Sequence, residues 1–164
     1  VVGLTALQDI TFLSDIVDRL LDLRMYYDEY RPILLKVSPD LSHEQLDEII
    51  DYCLRSGIDG IVAGNTTRSR DGITSISKEK IEEIGNGGMS GAPVHKKNLE
   101  LVRYVHTKSE GKLPIIGVGG IMSPEQAKDM LNAGASLVEI YSGFIYEGPS
   151  LVKRILKYLE QTVK

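Results

Sequence analysis

Four short clusters carry the residues best suited to ligand chemistry: Lys36, Asn65-Thr66-Thr67, Gly117-Val118-Gly119-Gly120 and Tyr141-Ser142-Gly143. Lys36 ends an otherwise apolar run. A buried ammonium without a counter-charge is costly, so the position calls for an anionic partner; the competing reading is a side chain snorkelling at a strand exit. Asn65 and Thr66 can donate and accept, which suits a small polar ligand and suits a hydrogen-bonded turn nearly as well. The glycine run lacks the spacing of a dinucleotide fingerprint, and alone it reads equally as a tight strand-to-helix turn. Glycines do let backbone amides approach a phosphate, and a following helix N-terminus favours the anion. Tyr141-Ser142-Gly143 would add amides to the same group.

Other polar residues read as structural. His43, His95 and His106 lack metal-ligand spacing and read as surface histidines, so no metal is expected. Cys53 falls on the apolar stripe of a helix, the place of a packed core thiol rather than a nucleophile. Glu79, Lys80, Glu82 and Glu83 read as a solvated helical turn.

The elements that must position these clusters alternate strand and helix. Phe12, Leu13, Ile16, Val17, Leu20 and Leu21 recur at helical spacing. Ile33–Val37 then reads as a buried parallel strand. Ser42 with Gln45 forms a capping box for a helix whose stripe is Leu46, Ile49, Ile50, Cys53 and Leu54, closed by Gly57. Ile58–Ala63, Leu113–Val118 and Ser136–Ile140 are the next strands. Helices are expected near Asn98–Ser109, after Ser123-Pro124 with Gln126 as box partner and Gly134 as stop, and from about Pro149 to Leu159. Residues 66–94 exceed the usual strand-to-helix connection, and loops of that length are functional or disordered. Four such units imply parallel pairing with right-handed crossovers. An open doubly wound sheet and half of a (β/α)₈ barrel both satisfy the pattern, and in either the clusters gather at the strand C-terminal edge, where ligands bind.

At 164 residues the chain is long enough for one domain with a real core. A net charge of −4 argues against a nucleic-acid or anionic-membrane surface. Its one cysteine makes no intrachain disulfide, and no apolar run reaches the length of a membrane span. Val1-Val2-Gly3-Leu4 reads as neither a native start nor a signal peptide, so a processed or truncated piece is expected.

The clusters bear a resemblance to the dihydroorotate dehydrogenases, most of all their class 2, quinone-reducing branch. It rests on Lys36-Val37-Ser38-Pro39-Asp40-Leu41, Asn65-Thr66-Thr67, Gly87-Gly88-Met89-Ser90-Gly91, Ile115-Ile116-Gly117-Val118-Gly119-Gly120-Ile121 and Tyr141-Ser142-Gly143-Phe144-Ile145. Each motif alone is weak; five in the family's order are strong. The resemblance implies an α/β fold in which residues 1–164 are the C-terminal half, about four βα units, of a TIM (β/α)₈ barrel. It implies FMN as cofactor, dihydroorotate and orotate as substrate and product, and a quinone acceptor. Lys36 would contact the flavin, Asn65 and Thr66 would hold orotate, and Gly91, Gly119, Gly120, Tyr141 and Ser142 would bind FMN, those after the third and fourth strands around its phosphate. Gly64 stands where the family usually has a flavin-contacting threonine, which removes one hydroxyl. The stretch between Asn65 and Gly91 is longer than is familiar. Gly3-Leu4 with Leu7-Gln8 resembles the residues that follow the family's catalytic base, which places the base before Val1 and leaves no catalytic residue here. The expected partners are the missing N-terminal half or a second copy. The expected location is the cytoplasm, or the inner-membrane surface through the missing region. Two other readings stay open: a half-barrel that binds flavin or phosphate without turnover, and part of another FMN oxidoreductase.

Overall fold

The computed structural model describes residues 9–71, 73 and 76–162. In chain order the elements are α1 (Ile10–Arg24), β1 (Leu34–Val37), α2 (His43–Ser56), β2 (Gly60–Ala63), α3 (Lys78–Ile84), α4 (His95–Lys108), β3 (Ile115–Val118), α5 (Pro124–Asn132), β4 (Leu137–Glu139), α6 (Ser142–Glu147) and α7 (Ser150–Thr162). Val1, Gly3, Leu4, Leu7 and Gln8, which carry the expectations about the chain's opening, lie outside the described residues.

Local signals set most boundaries. The Ser42 hydroxyl accepts from the Gln45 N–H at 3.3 Å, while the Gln45 side chain accepts from the Ser42 N–H at 3.1 Å, which satisfies two otherwise orphaned donors. Leu46, Ile49, Ile50 and Cys53 are buried beneath this helix; Leu54, assigned to the same stripe, is 39% exposed. It lies a helical step of about 100° beyond Cys53, which carries it off the core-facing side. At α5 the Ser123 hydroxyl accepts from Gln126 N–H, but the Gln126 side chain reaches back to Met122 N–H instead of closing the expected box. α4 starts at His95, earlier than expected, after a 3-10 turn at Ala92–Val94. α6 was not foreseen, and α3 buries nothing, as its charges imply.

All strand pairs are parallel, in the order β1-β2-β3-β4. Each strand is shorter than its apolar run because flanking residues add only single bonds, such as Ile61 N–H to Pro114 O and Ser136 N–H to Ile115 O. The sequential order decides between the two architectures. A doubly wound sheet reverses direction at a switch point, whereas a barrel keeps adding strands the same way round. The helices agree: α1 packs on α2, α2 on α4, α4 on α5 and α5 on α7, one layer in strand order. The fold is α/β, four parallel strands with the organisation of half a (β/α)₈ barrel.

Period-2 alternation sorts the strand side chains. Val37, Ile61, Ala63 and Ile115 point into a core shared with Ile49 and Ile50 of α2, Val102 and Val105 of α4, Met130 of α5 and Leu151 of α7. The opposite face carries Lys36, Val62, Ile116 and Leu137 in register across the sheet. No helix among the described residues covers it: Val62 and Ile116 are only half-buried, and Leu137 is 62% exposed.

Candidate functional site

The strand C-terminal ends converge on a cleft of about 450 Å³. All nine residues singled out from the sequence line it: Lys36 from β1; Gly64, Asn65 and Thr66 after β2; Gly91 before α4; Gly119 and Gly120 after β3; and Tyr141 and Ser142 after β4. Ser90, Val94, Val118 and Glu139 join them; the motifs contained Ser90 and Val118, but sequence reasoning gave none of the four a ligand role. Two were within reach of it. Val118 and Glu139 are register partners that end β3 and β4, so strand alternation places them on the Lys36 face.

The β2 exit is held from below by Asp40. Its carboxylate accepts from the Thr67 hydroxyl at 2.5 Å and the Arg68 N–H at 2.7 Å, and it pairs with the Lys97 ammonium. Partial burial works to raise this carboxyl, but the Arg68, Lys97 and Thr67 hydrogen bonds prevail and hold it below the usual carboxylate range. The long connection that follows closes at its base. Thr67 and Met89 exchange backbone hydrogen bonds of 3.1 and 2.7 Å, and the Arg70 guanidinium donates to the Gly85 and Gly87 carbonyls. The excursion therefore returns Ser90 and Gly91 to the cleft, where the Ser142 hydroxyl donates to that of Ser90 at 3.4 Å.

Individual residues refine the expectations. Lys36 is exposed to the cleft rather than buried, because the open sheet face leaves it solvated, and it has no ion pair among the described residues. Asn65 accepts from Thr66 N–H at 2.8 Å, and its own carbonyl accepts from the side chain of buried Asn98 at 3.1 Å. Gly120 has φ +69°, and a Cβ there would lie 2.7 Å from His95 N and 2.8 Å from Gly91 O. Only glycine fits, and the backbone is left bare toward the cleft.

His95 is not a surface histidine. Both ring nitrogens are buried and have no hydrogen-bond partner among the described residues, because the helix starts at this residue and carries it beneath the Gly120 turn. His43 instead stacks on Tyr104 with ring centroids 4.4 Å apart. Cys53 is a core thiol, pushed up to about 12 by burial.

Lys36 on β1 and Glu139 on β4 carry opposite charges on flanks three strands apart, about 14 Å at ordinary strand spacing. Between them the cleft offers backbone amides at Gly119 and Gly120, the Ser142 hydroxyl, and the amide and hydroxyl groups of Asn65 and Thr66. Such a set suits an anionic group met by backbone donors beside a polar ring met by side chains. Among the described residues no His, Cys, Asp or Glu group is arranged to hold a metal. No helix among them is long and apolar enough to cross a membrane.

The family model described as Dihydroorotate dehydrogenase matches residues 2–163. The chain is similar to the dihydroorotate dehydrogenase (quinone) of Christiangramia forsetii, 45% identical over 93% of this chain and 44% of the relative. It is similar to that of Proteus mirabilis at 42% identity, over 94% of this chain and again 44% of the relative. Among solved structures it resembles ligand-free DHODH from Eimeria tenella, with TM-score 0.86 and 30% identity over 96% of this chain and 46% of that one. The same enzyme in complex with ferulenol gives TM-score 0.87 at 28% identity. The chain thus spans a little under half the length of the relatives it matches.

Proposed function

Since the chain belongs to the dihydroorotate dehydrogenase family, we propose that it contributes the FMN-phosphate and orotate contacts of an enzyme that oxidises dihydroorotate to orotate with a quinone as acceptor. The observation that carries the reading is the convergence of eight family-motif residues, with Gly64 beside them, from four strand ends on one cleft. The donor set fits FMN. Gly120, where only glycine fits against His95 N and Gly91 O, lines the cleft beside Gly119 and Ser142, and Lys36 brings a cation with no ion-pair partner among the described residues across the cleft.

Bound there, FMN would supply the redox chemistry as hydride acceptor. The chain's own residues bind and orient. The Gly119 and Gly120 amides and Ser142 hold the phosphate without a cation beside it, so the anion is met by fixed dipoles. Lys36 would contact the flavin, where its ammonium would favour negative charge on the ring. Asn65 and Thr66 hold the orotate ring, with Asp40 fixing the loop that presents them. None of the nine is assigned as the base.

The test is Asn65→Ala in the full gene product. Orotate affinity, read from the flavin spectrum, is expected to fall about tenfold or more while FMN content holds, because the ligand's polar groups lose their partner. Equal loss of both ligands would make Asn65 a turn residue only. Dihydroorotate-dependent bleaching of the bound flavin separates an enzyme from a flavin-binding half-barrel.

A further inference from the structure

Three buried side-chain atoms in the first turn of α4 have no hydrogen-bond partner among the described residues: both ring nitrogens of His95 and Oδ1 of Asn98. Native cores seldom leave such atoms unpaired. Here they lie directly behind the loops that line the cleft.

Asn98 is the more informative. It is 0% exposed and shares the inward side of α4 with Leu101, Val102 and Val105, where an apolar residue would be the ordinary choice. Burying a carboxamide costs free energy unless its groups are paired, and only one half of this one is. Nδ2 donates to the carbonyl of Asn65 at 3.1 Å. The same carboxamide also fills the space beside two cleft glycines. A Cβ at Gly64 would collide with Oδ1, and one at Gly119 with Nδ2. One side chain therefore fills the space beside two glycines on neighbouring loops, with Leu101 also crowding Gly64, and it ties down the Asn65 carbonyl.

We infer, resting on the flavin-and-orotate reading above for its ligands, that Asn98 is a positioning residue coupled to Gly64: its carboxamide takes the room a side chain at 64 would need and sets the presentation of Asn65. It touches neither ligand. From beneath, it holds the β2 exit at a set distance from the β3 exit, so that the orotate-facing and phosphate-facing loops keep their spacing. The absence of a side chain at 64 and the presence of the amide at 98 are then a single steric arrangement.

Asn98→Ala, Gly64→Ala and the double substitution in the full gene product test this. Three quantities are measured: FMN content, orotate affinity from the flavin spectrum, and the thermal midpoint of the ligand-free protein. Asn98→Ala is expected to weaken orotate about tenfold while FMN content stays within about twofold. Parallel loss of both ligands would make Asn98 a packing residue and overturn the positioning role. Gly64→Ala is expected to lower the midpoint by about 4 °C or more when Asn98 is present, and by much less in the Asn98→Ala background. An equal drop in both backgrounds overturns the coupling. If Gly64→Ala does not fold, the double variant decides: recovery of folding supports the coupling, and failure overturns it. An unsubstituted protein that binds neither FMN nor orotate would sink the proposed function, while the ligand-free thermal cycle would still decide the Gly64–Asn98 pair.

Discussion

At Gly120 a methyl group would press on His95 N and Gly91 O, and the backbone already sits at a positive φ. Gly120→Val should therefore lower FMN occupancy severalfold by pushing the turn away from the phosphate. Normal flavin content in that variant would remove this turn from the site. Lys36, exposed in the cleft without a counter-charge among the described residues, should tolerate Lys36→Met with little change in melting temperature. Flavin retention or reduction rate should fall, and unchanged redox behaviour would leave Lys36 as a solvated strand residue. Cys53 gives a prediction of the opposite kind. With its thiol pushed up to about 12 by burial, a disulfide reagent at pH 8 should react on the order of a thousandfold more slowly with native than with denatured protein. Rapid native labelling would mean that α2 opens readily.

Two connections show how the elements hold the cleft. Ser42 and Gly57 bracket α2 through local hydrogen bonding and a left-handed stop, so the helix was legible from residues a few positions apart. The β2 exit was not, because its anchor Asp40 lies 27 residues from Thr67 and 57 from Lys97. Asp40→Asn should destabilise the protein at neutral pH by about 1–2 kcal/mol, since charge-assisted hydrogen bonds at a partly exposed node are lost. The pH dependence follows from the depressed carboxyl. Its contribution is complete above the unfolded value, near about pH 4, and is lost as pH falls through the folded one. Urea unfolding at pH 7 and pH 3 should show the difference between parent and Asp40→Asn shrinking at acid pH. A gap that stayed constant would mean that the Asp40 charge does not hold the loop.

On the scale of the molecule, the sheet is the dominant feature. Among the described residues β1 pairs only with β2 and β4 only with β3, so two parallel strands each present an unpaired edge. The uncovered sheet face carries Leu137, and α1 and α7 leave Phe12, Ile16, Val152 and Leu156 exposed. Apolar edges and faces of this kind recruit further strands or aggregate, and barrel interiors are stable when filled by side chains from all round. The 164-residue chain alone, at micromolar concentration, should therefore elute as oligomer or aggregate. Co-expression with a polypeptide that supplies the remaining strands should shift it to a defined complex. A monomer of the isolated chain that unfolds cooperatively would overturn this, and with it the need for further strands.

The sequence by itself determined the alternation of strand and helix, the caps of α2, and the nine residues that line the cleft at the strand C-terminal edge. Those are properties of short segments: periodicity, capping pairs and motifs in order. Tertiary structure decided the rest. Sequential strand order chose the barrel arrangement over the doubly wound sheet, because pairing joins residues far apart in the chain. It placed Lys36 in solvent and His95 beneath a turn, since burial depends on what the facing elements cover. It brought Asn98 between Gly64 and Gly119, 34 and 21 positions away in the chain, a contact that no local spacing could announce.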